Sequence, residues 1–307
     1  METKQKTAAK GGQWPTERLP YSAIVDRPRL DLGADLRVVV WPVINVEYWS
    51  LDRPMARQVI PPPTGVTSLP DIANWSWHEY GMRVGFWRLL EAFSSRGIAG
   101  TLSINGHVCE AYPRVAGAAL EAGWEFMGHG DVQIPIHAVD DQAAMILLAQ
   151  EKIRRFTGKP ALGWLGPGLT QTFETVDLLH EAGIRYIADW VLDDQPCRLN
   201  TLHGDMVAMP YSVELNDIPM MAVQHHDSQV MFTRVRDTFD RLWQEGQEQP
   251  RIMAIPVHPF LSGSPHRIRY LEQALDYILE HDKVAFWTGE EIYRRYTENN
   301  HTVGVGA

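Results

Sequence analysis

The sequence is poor in cysteine and contains no long apolar run. Cys109 and Cys197 are its only two cysteines in 307 residues, fewer than a disulfide-stapled secreted scaffold normally carries, so reduced and partly buried thiols are expected. No apolar stretch approaches the roughly 20 residues of a membrane-spanning helix. The N-terminal segment also lacks the apolar core of a secretory signal. We therefore expect a cytoplasmic protein without a membrane partner.

A run of basic residues is also missing. The chain has 28 lysines and arginines against 38 aspartates and glutamates, a formal net charge of −10. The basic residues are scattered, so nothing attracts nucleic acid and none is expected as a partner. The hydrophobic content of 45% is instead enough for a large core. We predict a flexible tail at 1–20, one folded domain at 21–300 and a second tail at 301–307.

Short apolar runs alternate along the chain with segments of helical periodicity. The predicted strands are 37–46, 98–104, 124–127, 161–165, 185–188, 252–257 and 284–286. The predicted helices are 82–96, 112–122, 140–157, 172–182, 235–245, 268–280 and 289–296. Such alternation predicts an α/β fold with a parallel sheet covered by helices, either doubly wound or closed into a barrel. Polar residues recur where strands end, the face on which barrels build active sites, so we favour a distorted (β/α) barrel in a single domain.

Three of these strand ends carry side chains that could take part in catalysis or bind a metal. Asn45 and Glu47 lie two positions apart, so they point to the same side of the first strand end. The carboxylate can act as a general base or bind a metal, although a solvated strand end is equally compatible. His129 follows the third strand between two glycines and can bind metal, shuttle protons or polarise a carbonyl. His258 ends a late strand, where it can protonate a leaving nitrogen, and Arg267 opens the next helix, where it can receive a carboxylate. A purely structural histidine is the alternative at both positions.

The order of these motifs resembles the polysaccharide deacetylase superfamily, also described as NodB-like or carbohydrate esterase family four. The resemblance covers residues 37–296. Three more specific features are similar to the branch with the deacetylase-type allantoinases and the cyclic-imide hydrolases: the segment 80–90, the pair Asn216-Asp217, and the run from His258 through Leu261 and Gly263 to Arg267. The resemblance implies a distorted barrel that hydrolyses N-acetyl groups on sugars or small cyclic amides, commonly with a divalent metal.

The sequence departs from the superfamily pattern at the metal ligands. The usual Asp-Asp pair is replaced by Asn45 and Glu47, and Gln133 stands where a second histidine is expected four residues after His129. A zinc site normally needs three protein ligands, and glutamine is a poor substitute for imidazole. Either Asp131 or His137 supplies the missing ligand, so that Glu47 and His129 bind zinc or another divalent metal, or the site works without metal. We favour the second alternative.

The arginine motif of the deacetylases is likewise absent, because residues 163–168 read Gly-Trp-Leu-Gly-Pro-Gly, with Leu165 at its centre. The superfamily's usual partner for its catalytic aspartate is therefore missing. Asp189, which follows the next strand, matches the family pattern better. It is expected to orient His258 and to fix the tautomer of that imidazole.

These observations lead to the hypothesis of a carbon–nitrogen hydrolase that opens a small cyclic amide or imide. Glu47 would activate water, His129 and Asn45 would stabilise the oxyanion, and His258 would protonate the departing nitrogen. The residues expected to contact the substrate comprise two stacking tryptophans, four groups that recognise amide edges, and one arginine for a carboxylate: Trp49, Trp164, Glu79, Arg83, Asn216, Asp217 and Arg267.

Two alternatives are retained. One is a metal-dependent polysaccharide or oligosaccharide N-deacetylase, and the other is a non-catalytic homologue that only binds a ligand. The segment 51–78 is rich in proline and glycine and too long for a tight turn, so it is predicted to form a lid or a contact with another subunit. A homo-oligomer is expected from the resemblance.

Overall fold

The computed structural model describes residues 14–61, 65–66 and 69–300. The predicted tail at 301–307, most of the one at 1–20, and parts of the predicted lid lie outside these residues. Within these ranges, nine strands form one curved sheet. They are β1 (Val38–Val46), β2 (Thr101–Ile104), β3 (Glu125–Gly128), β4 (Gly163–Trp164), β5 (Tyr186–Ile187), β6 (Cys197–Thr201), β7 (Gly204–Ala208), β8 (Arg251–Val257) and β9 (Val284–Phe286).

Ten α-helices accompany the strands among the described residues. They are α1 (Pro15–Arg18), α2 (Ile72–Tyr80), α3 (Phe86–Ser94), α4 (Val108–Ala111), α5 (Pro113–Glu121), α6 (Gln142–Thr157), α7 (Thr175–Glu181), α8 (Val230–Glu245), α9 (Pro265–Leu279) and α10 (Gly289–Asn299). A π-helical segment, Gly81–Gly85, joins α2 to α3. Each of these helices is too short or too polar to cross a membrane.

The sheet runs in the order β6, β7, β5, β4, β3, β2, β1, β8, and β9 pairs with the first half of β1. All pairs are parallel except the β6–β7 hairpin. The central strand β1 is buried over its whole length because it lies between β8 on one edge and β2 and β9 on the other. Its apolar run of valines and isoleucine suits a strand with both faces covered.

The barrel is distorted because its two edge strands do not pair along their length. A main-chain hydrogen bond joins the two edges, β6 and β8. In it the Ile252 N–H at the start of β8 donates to the Asp194 carbonyl ahead of β6, with a distance of 2.8 Å. The expected class, a distorted (β/α) barrel, is confirmed. The carboxyl ends of β1, β3, β5 and β8 consequently open on the same side, as parallel pairing requires.

The elements that were not predicted from the sequence are α1, α2, α4 and the β6–β7 hairpin. Helix α2 lacks a strong apolar face, but Asp71 caps it, since its side chain accepts a hydrogen bond from the Asn74 N–H. The β6–β7 hairpin is short and half exposed. Its clearest sequence signal is Gly204, whose φ of 137° is accessible mainly to glycine.

The predicted tail at 1–20 is wrong for its last residues. Arg18 is buried, and its guanidinium makes two hydrogen bonds to the Asp177 carboxylate on α7, at 2.9 and 2.5 Å. It also donates to the main-chain oxygens of Phe173 and Asn200. A buried bidentate ion pair of this kind fixes α1 against α7 and β6.

Candidate active site

A cavity of about 400 Å³ opens at the carboxyl ends of the strands. Its polar lining is contributed by nine side chains from different strand ends and loops: Asn45, Glu47, Arg57, His129, Gln133, Thr170, Tyr211, Asn216 and His258. Trp49, Leu165, Leu169 and Ile218 are among the apolar residues of its wall. The structure therefore places Asn45, Glu47, His129 and His258 around one space, although they are far apart in sequence.

Glu47 is held by two N–H donors. The Gln133 amide donates to its Oε1 at 2.8 Å, and the Trp49 indole donates to its Oε2 at 3.1 Å. The orientation of Gln133 follows from its neighbour Asn105. The Tyr48 N–H donates to Asn105 Oδ1 at 2.8 Å, so Asn105 presents its NH₂ group to Gln133 Oε1 at 3.2 Å. Gln133 must then turn its own NH₂ group towards Glu47.

Two imidazoles flank the same carboxylate. The Nε2 atoms of His129 and His258 lie 3.5 and 3.6 Å from Glu47 Oε1. His129 uses its Nδ1–H on the Leu165 carbonyl, at 2.6 Å, because a carbonyl oxygen can only accept. Its Nε2 therefore carries no hydrogen when the ring is neutral. Both rings are buried, and both turn Nε2 towards the cavity carboxylate.

The partner of His258 is Asp217, and the prediction that Asp189 orients this imidazole is wrong. Asp217 Oδ1 accepts from His258 Nδ1 at 2.6 Å, while Oδ2 accepts from the His258 main-chain N–H at 2.8 Å and from the Ser262 hydroxyl at 2.6 Å. Asp217 is fully buried and is not part of the cavity wall. It therefore fixes the ring and is not in a position to recognise substrate edges, as had been expected of it.

Asp189 supports a different part of the cavity. Its carboxylate accepts from the Gly166 N–H at 2.6 Å and from the Gln171 amide at 2.5 Å. Burial raises the pKa of Asp189 to about 6, against the effect of these two hydrogen bonds. The loop that it holds, residues 165–170, forms one side of the cavity. Asp189 thus positions a wall of the site through the main chain.

The charged groups of the site stabilise one another in their ionised forms. Burial alone would lower the pKa of His258, but the carboxylates of Asp217 and Glu47 outweigh it and raise the pKa to about 10. Burial alone would raise the pKa of Glu47, but its contacts with His129 and His258 outweigh it and hold the pKa far below the usual range. At neutral pH the site accordingly contains a Glu47 carboxylate beside a His258 imidazolium.

Glycines let the loop after His258 approach the helices closely. A Cβ atom on Gly85, in the π-helical segment, would overlap the carbonyl oxygen of Pro259. A Cβ on Gly81 would lie 2.7 Å from the main-chain nitrogen of Phe260. These contacts explain why the segment resembling the allantoinase branch carries glycine at both positions, since any side chain would push the His258 loop away from the cavity.

Several residues expected to bind substrate lie elsewhere. Trp164 is 1% exposed and packs in the core beneath Gly128, so the prediction that it stacks on a substrate ring is wrong. Glu79 accepts a hydrogen bond from the Tyr112 hydroxyl and lies 4.0 Å from the exposed Arg83, and neither lines the cavity. Arg267 is half-buried at the start of α9, outside the cavity wall. Asn216 and Trp49 do line the cavity.

The deacetylase type of metal site can be tested against these donors. Two ligands about 2 Å from a tetrahedral zinc lie about 3.3 Å apart, so the distances from Glu47 to the two imidazoles would allow a shared ion. However, Gln133 turns an NH₂ group towards the same carboxylate oxygen, and a donor group repels a cation. Asp131 pairs with Lys152 at 2.8 Å, and His137 lines a separate cavity, so the suggestion that either completes the set is wrong. Within the described residues no cluster of three or more His, Cys, Asp and Glu side chains is arranged for a metal.

The tertiary structure gives three residues of the cavity a place that the sequence did not indicate. Gln133 appeared there only as a missing ligand, yet it orients the carboxylate of Glu47. Trp49 was expected to stack, yet its indole N–H binds the other carboxylate oxygen. Tyr211 follows β7 in a stretch without clear periodicity, and nothing in the local sequence distinguished it. Both cysteines carry free thiols, with Cys109 buried and Cys197 half-buried.

Comparisons with known proteins agree with this fold. A protein named a polysaccharide deacetylase in Schizosaccharomyces pombe is 28% identical over 246 residues, which cover 72% of this chain and 75% of that protein. A polysaccharide deacetylase structure from Pseudomonas aeruginosa PAO1 is 28% identical, with a TM-score of 0.78 over 91% of this chain and 98% of that one. The PuuE allantoinase structure has a TM-score of 0.82 at 24% identity, over 94% of this chain and 98% of that one, and so shares the fold. No protein-family model matches the chain.

The fold, the strand-end carboxylate and the two histidines define a hydrolase of the deacetylase type. In sequence and fold the chain is similar to proteins named as polysaccharide deacetylases, the superfamily that its motifs resemble. The superfamily expected from the sequence is therefore confirmed, as is its enzyme class, the hydrolases of carbon–nitrogen bonds.

Proposed function

We propose that this protein opens a small cyclic amide or imide by hydrolysis without a metal ion. The observation that carries the proposal is the environment of Glu47. The Gln133 NH₂ group and the His258 imidazolium contact its carboxylate at the positions that a metal ion and a second histidine ligand would need. The likeness of the fold to an allantoinase supports the same substrate class. A cavity of about 400 Å³ is at the lower end of small-molecule sites, which suits a single ring.

The residues of the cavity can perform each step of such a reaction. Glu47, with the Nε2 lone pair of His129 close by, holds a water molecule and takes one of its protons as the oxygen attacks the carbonyl carbon. The carbonyl π electrons move to its oxygen. When the carbon–nitrogen bond breaks, its electron pair remains on nitrogen, which receives the proton of His258 Nε2. The 3.6 Å between Glu47 Oε1 and His258 Nε2 then lets the captured proton return to the histidine.

The charge states of Glu47 and His258 fit this cycle. Its pKa lies far below the usual range, so it stays ionised and ready to accept a proton at any ordinary pH. A weak base holds the captured proton only briefly and passes it readily to His258, whose pKa is about 10. The pair therefore returns to its starting charges after each turnover.

A hydrolysis assay on hydantoins, allantoin and cyclic imides tests the proposal. The purified protein should hydrolyse at least one of them in the presence of a chelator. His258→Ala and Glu47→Gln should each lower kcat/KM by roughly 10² or more, the range lost with a general acid or base. Unchanged activity in His258→Ala would remove the proposed acid from the mechanism.

The names of the curated relatives favour a second candidate, N-deacetylation of a sugar polymer. That reaction in the superfamily commonly depends on metal. Activity on N-acetylglucosamine oligomers that appears with added Zn²⁺ and disappears with a chelator would support this candidate and contradict the first. An alternative without catalysis, ligand binding alone, predicts no turnover of either substrate class.

A further inference from the structure

Tyr211 occupies a fixed position in the catalytic cavity. Its side chain is 5% exposed and lines the cavity with Asn45, Glu47 and the two histidines. The ring packs edge-on against Trp41 of β1, with 6.2 Å between centroids. Its main-chain N–H donates to the Met209 carbonyl at 2.8 Å. These contacts hold the hydroxyl in one place without any help from a substrate.

The neighbouring amides determine where the hydroxyl hydrogen can go. The Ile218 N–H donates to Asn216 Oδ1 at 2.9 Å, so Asn216 must direct its NH₂ group at the Tyr211 oxygen, 3.2 Å away. The Asn45 NH₂ group lies 3.5 Å from the same oxygen. The phenol oxygen therefore accepts from both sides. Among the described residues no atom accepts the Tyr211 hydrogen, which leaves it free for a ligand in the cavity.

The other groups expected to bind the oxyanion are already engaged. The His129 Nδ1–H is used by the Leu165 carbonyl, and its Nε2 has no hydrogen in the neutral ring. The Asn45 amide faces the Val257 carbonyl and the Tyr211 oxygen, both at 3.5 Å. Burial, with the nearby charges of Asp217 and Glu47, raises the pKa of Tyr211 above its usual value, so the phenol keeps its proton.

We propose that Tyr211 is a catalytic residue whose hydroxyl donates a hydrogen bond to the carbonyl oxygen of the substrate and stabilises the negative charge that forms there. Asn45 and Asn216 act as positioning residues through it, because hydrogen bonds into the phenol oxygen polarise its O–H group. The hydroxyl keeps its proton throughout, so no atom is transferred. This inference rests on the proposed hydrolysis, but it requires only that the substrate contain an amide carbonyl.

Tyr211→Phe tests the assignment, because it keeps the ring against Trp41 and removes only the hydroxyl. We expect kcat to fall by roughly 10² or more with little change in KM, since the bond strengthens only as charge develops. Asn216→Ala retains the hydroxyl and loses one of the amides that polarise it, so a smaller fall is expected. Tyr186→Phe is the matched control. It removes another buried hydroxyl, one that donates to Glu125 outside the cavity, and should lower thermal stability while kcat is kept.

The substrate in this test is whichever amide the wild-type protein hydrolyses, a cyclic imide, a hydantoin or an N-acetylglucosamine oligomer. Unchanged kcat in a folded Tyr211→Phe variant overturns the inference alone, and so does a rise in KM without a fall in kcat. Activity restricted to N-acetylglucosamine oligomers, with the Tyr211→Phe effect present, overturns the proposed cyclic substrate and supports the role of Tyr211. A wild-type protein without activity on either class overturns both.

Discussion

The contact between Asp217 and His258 makes a quantitative prediction about pH dependence. His258 has a pKa of about 10 because two carboxylates oppose the effect of burial. Asp217→Asn removes the closer charge, and we expect the pKa to fall towards the ordinary value of about 6.5. At pH 8 the protonated fraction of His258 would then drop from nearly all to roughly one in thirty, whereas at pH 6 most of the imidazolium would remain.

The assay is kcat/KM as a function of pH for the wild type and two variants. The alkaline limb of the wild-type profile should lie near pH 10 and move down by several pH units in Asp217→Asn, with a loss of roughly 30-fold at pH 8 and much less at pH 6. Asp189→Asn is the matched control, since Asp189 is also a buried carboxylate but accepts hydrogen bonds from Gly166 and Gln171 instead. An alkaline limb that moves in Asp189→Asn and stays in Asp217→Asn would refute the assignment.

The raised pKa of His258 also predicts how the stability of the protein changes with pH. The pKa of His258 is raised on folding, so its contribution to the free energy of unfolding is complete below pH 6.5 and is lost as the pH rises through about 10. Denaturant titrations between pH 6 and pH 10 should therefore show a decline in the wild type. The decline should be weaker in Asp217→Asn, and an equal slope in both proteins would contradict the role of this carboxylate.

Three further predictions follow from other contacts. Gln133→His replaces the NH₂ group beside Glu47 by an imidazole, so the variant should bind Zn²⁺ in a calorimetric titration more tightly than the wild type, and equal affinity would show that the amide does not decide metal binding. Trp164→Ala should lower the free energy of unfolding by about 3 to 5 kcal/mol, because it empties a core position, and an unchanged midpoint would contradict burial. Arg18→Ala should cost about 3 to 5 kcal/mol by leaving a buried carboxylate unpaired, whereas the exposed Arg294→Ala should cost less than about 1 kcal/mol in the same denaturation experiment.

The local sequence pattern predicted most of the strands and helices of the barrel. The apolar runs of β1 and β8 predicted buried strands, and glycines after α5, α6 and α7 marked the helix ends. Helix α2 was missed because it has little apolar periodicity of its own. It is held by a capping aspartate and by the packing of Trp77 and His78 against Phe260 in the loop after His258. The β6–β7 hairpin was missed because an exposed edge hairpin has no buried face to set an alternating pattern.

The structure describes part of the segment 51–78 that was predicted to form a lid. Trp49, Ala56 and Arg57 line the cavity, and the Asn74 side chain holds the following turn by accepting from the Val59 and Ile60 N–H groups. Residues 62–64 and 67–68 lie outside the described part of the chain. The segment therefore contributes Ala56 and Arg57 to the cavity wall, while a lid, a contact with another subunit and a homo-oligomer stay predictions.

The sequence by itself determined which residues reach the centre of the site, because a strand that ends in a polar residue places that residue at the carboxyl edge of a parallel sheet. Glu47, His129 and His258 could be identified in this way. Only the tertiary structure decided how they are paired, since hydrogen bonds such as those of Asp217 to His258 and of Gln133 to Glu47 join residues that are 41 and 86 positions apart. No local pattern records which of two buried aspartates will lie 2.6 Å from an imidazole, because that distance depends on the packing of every strand between them.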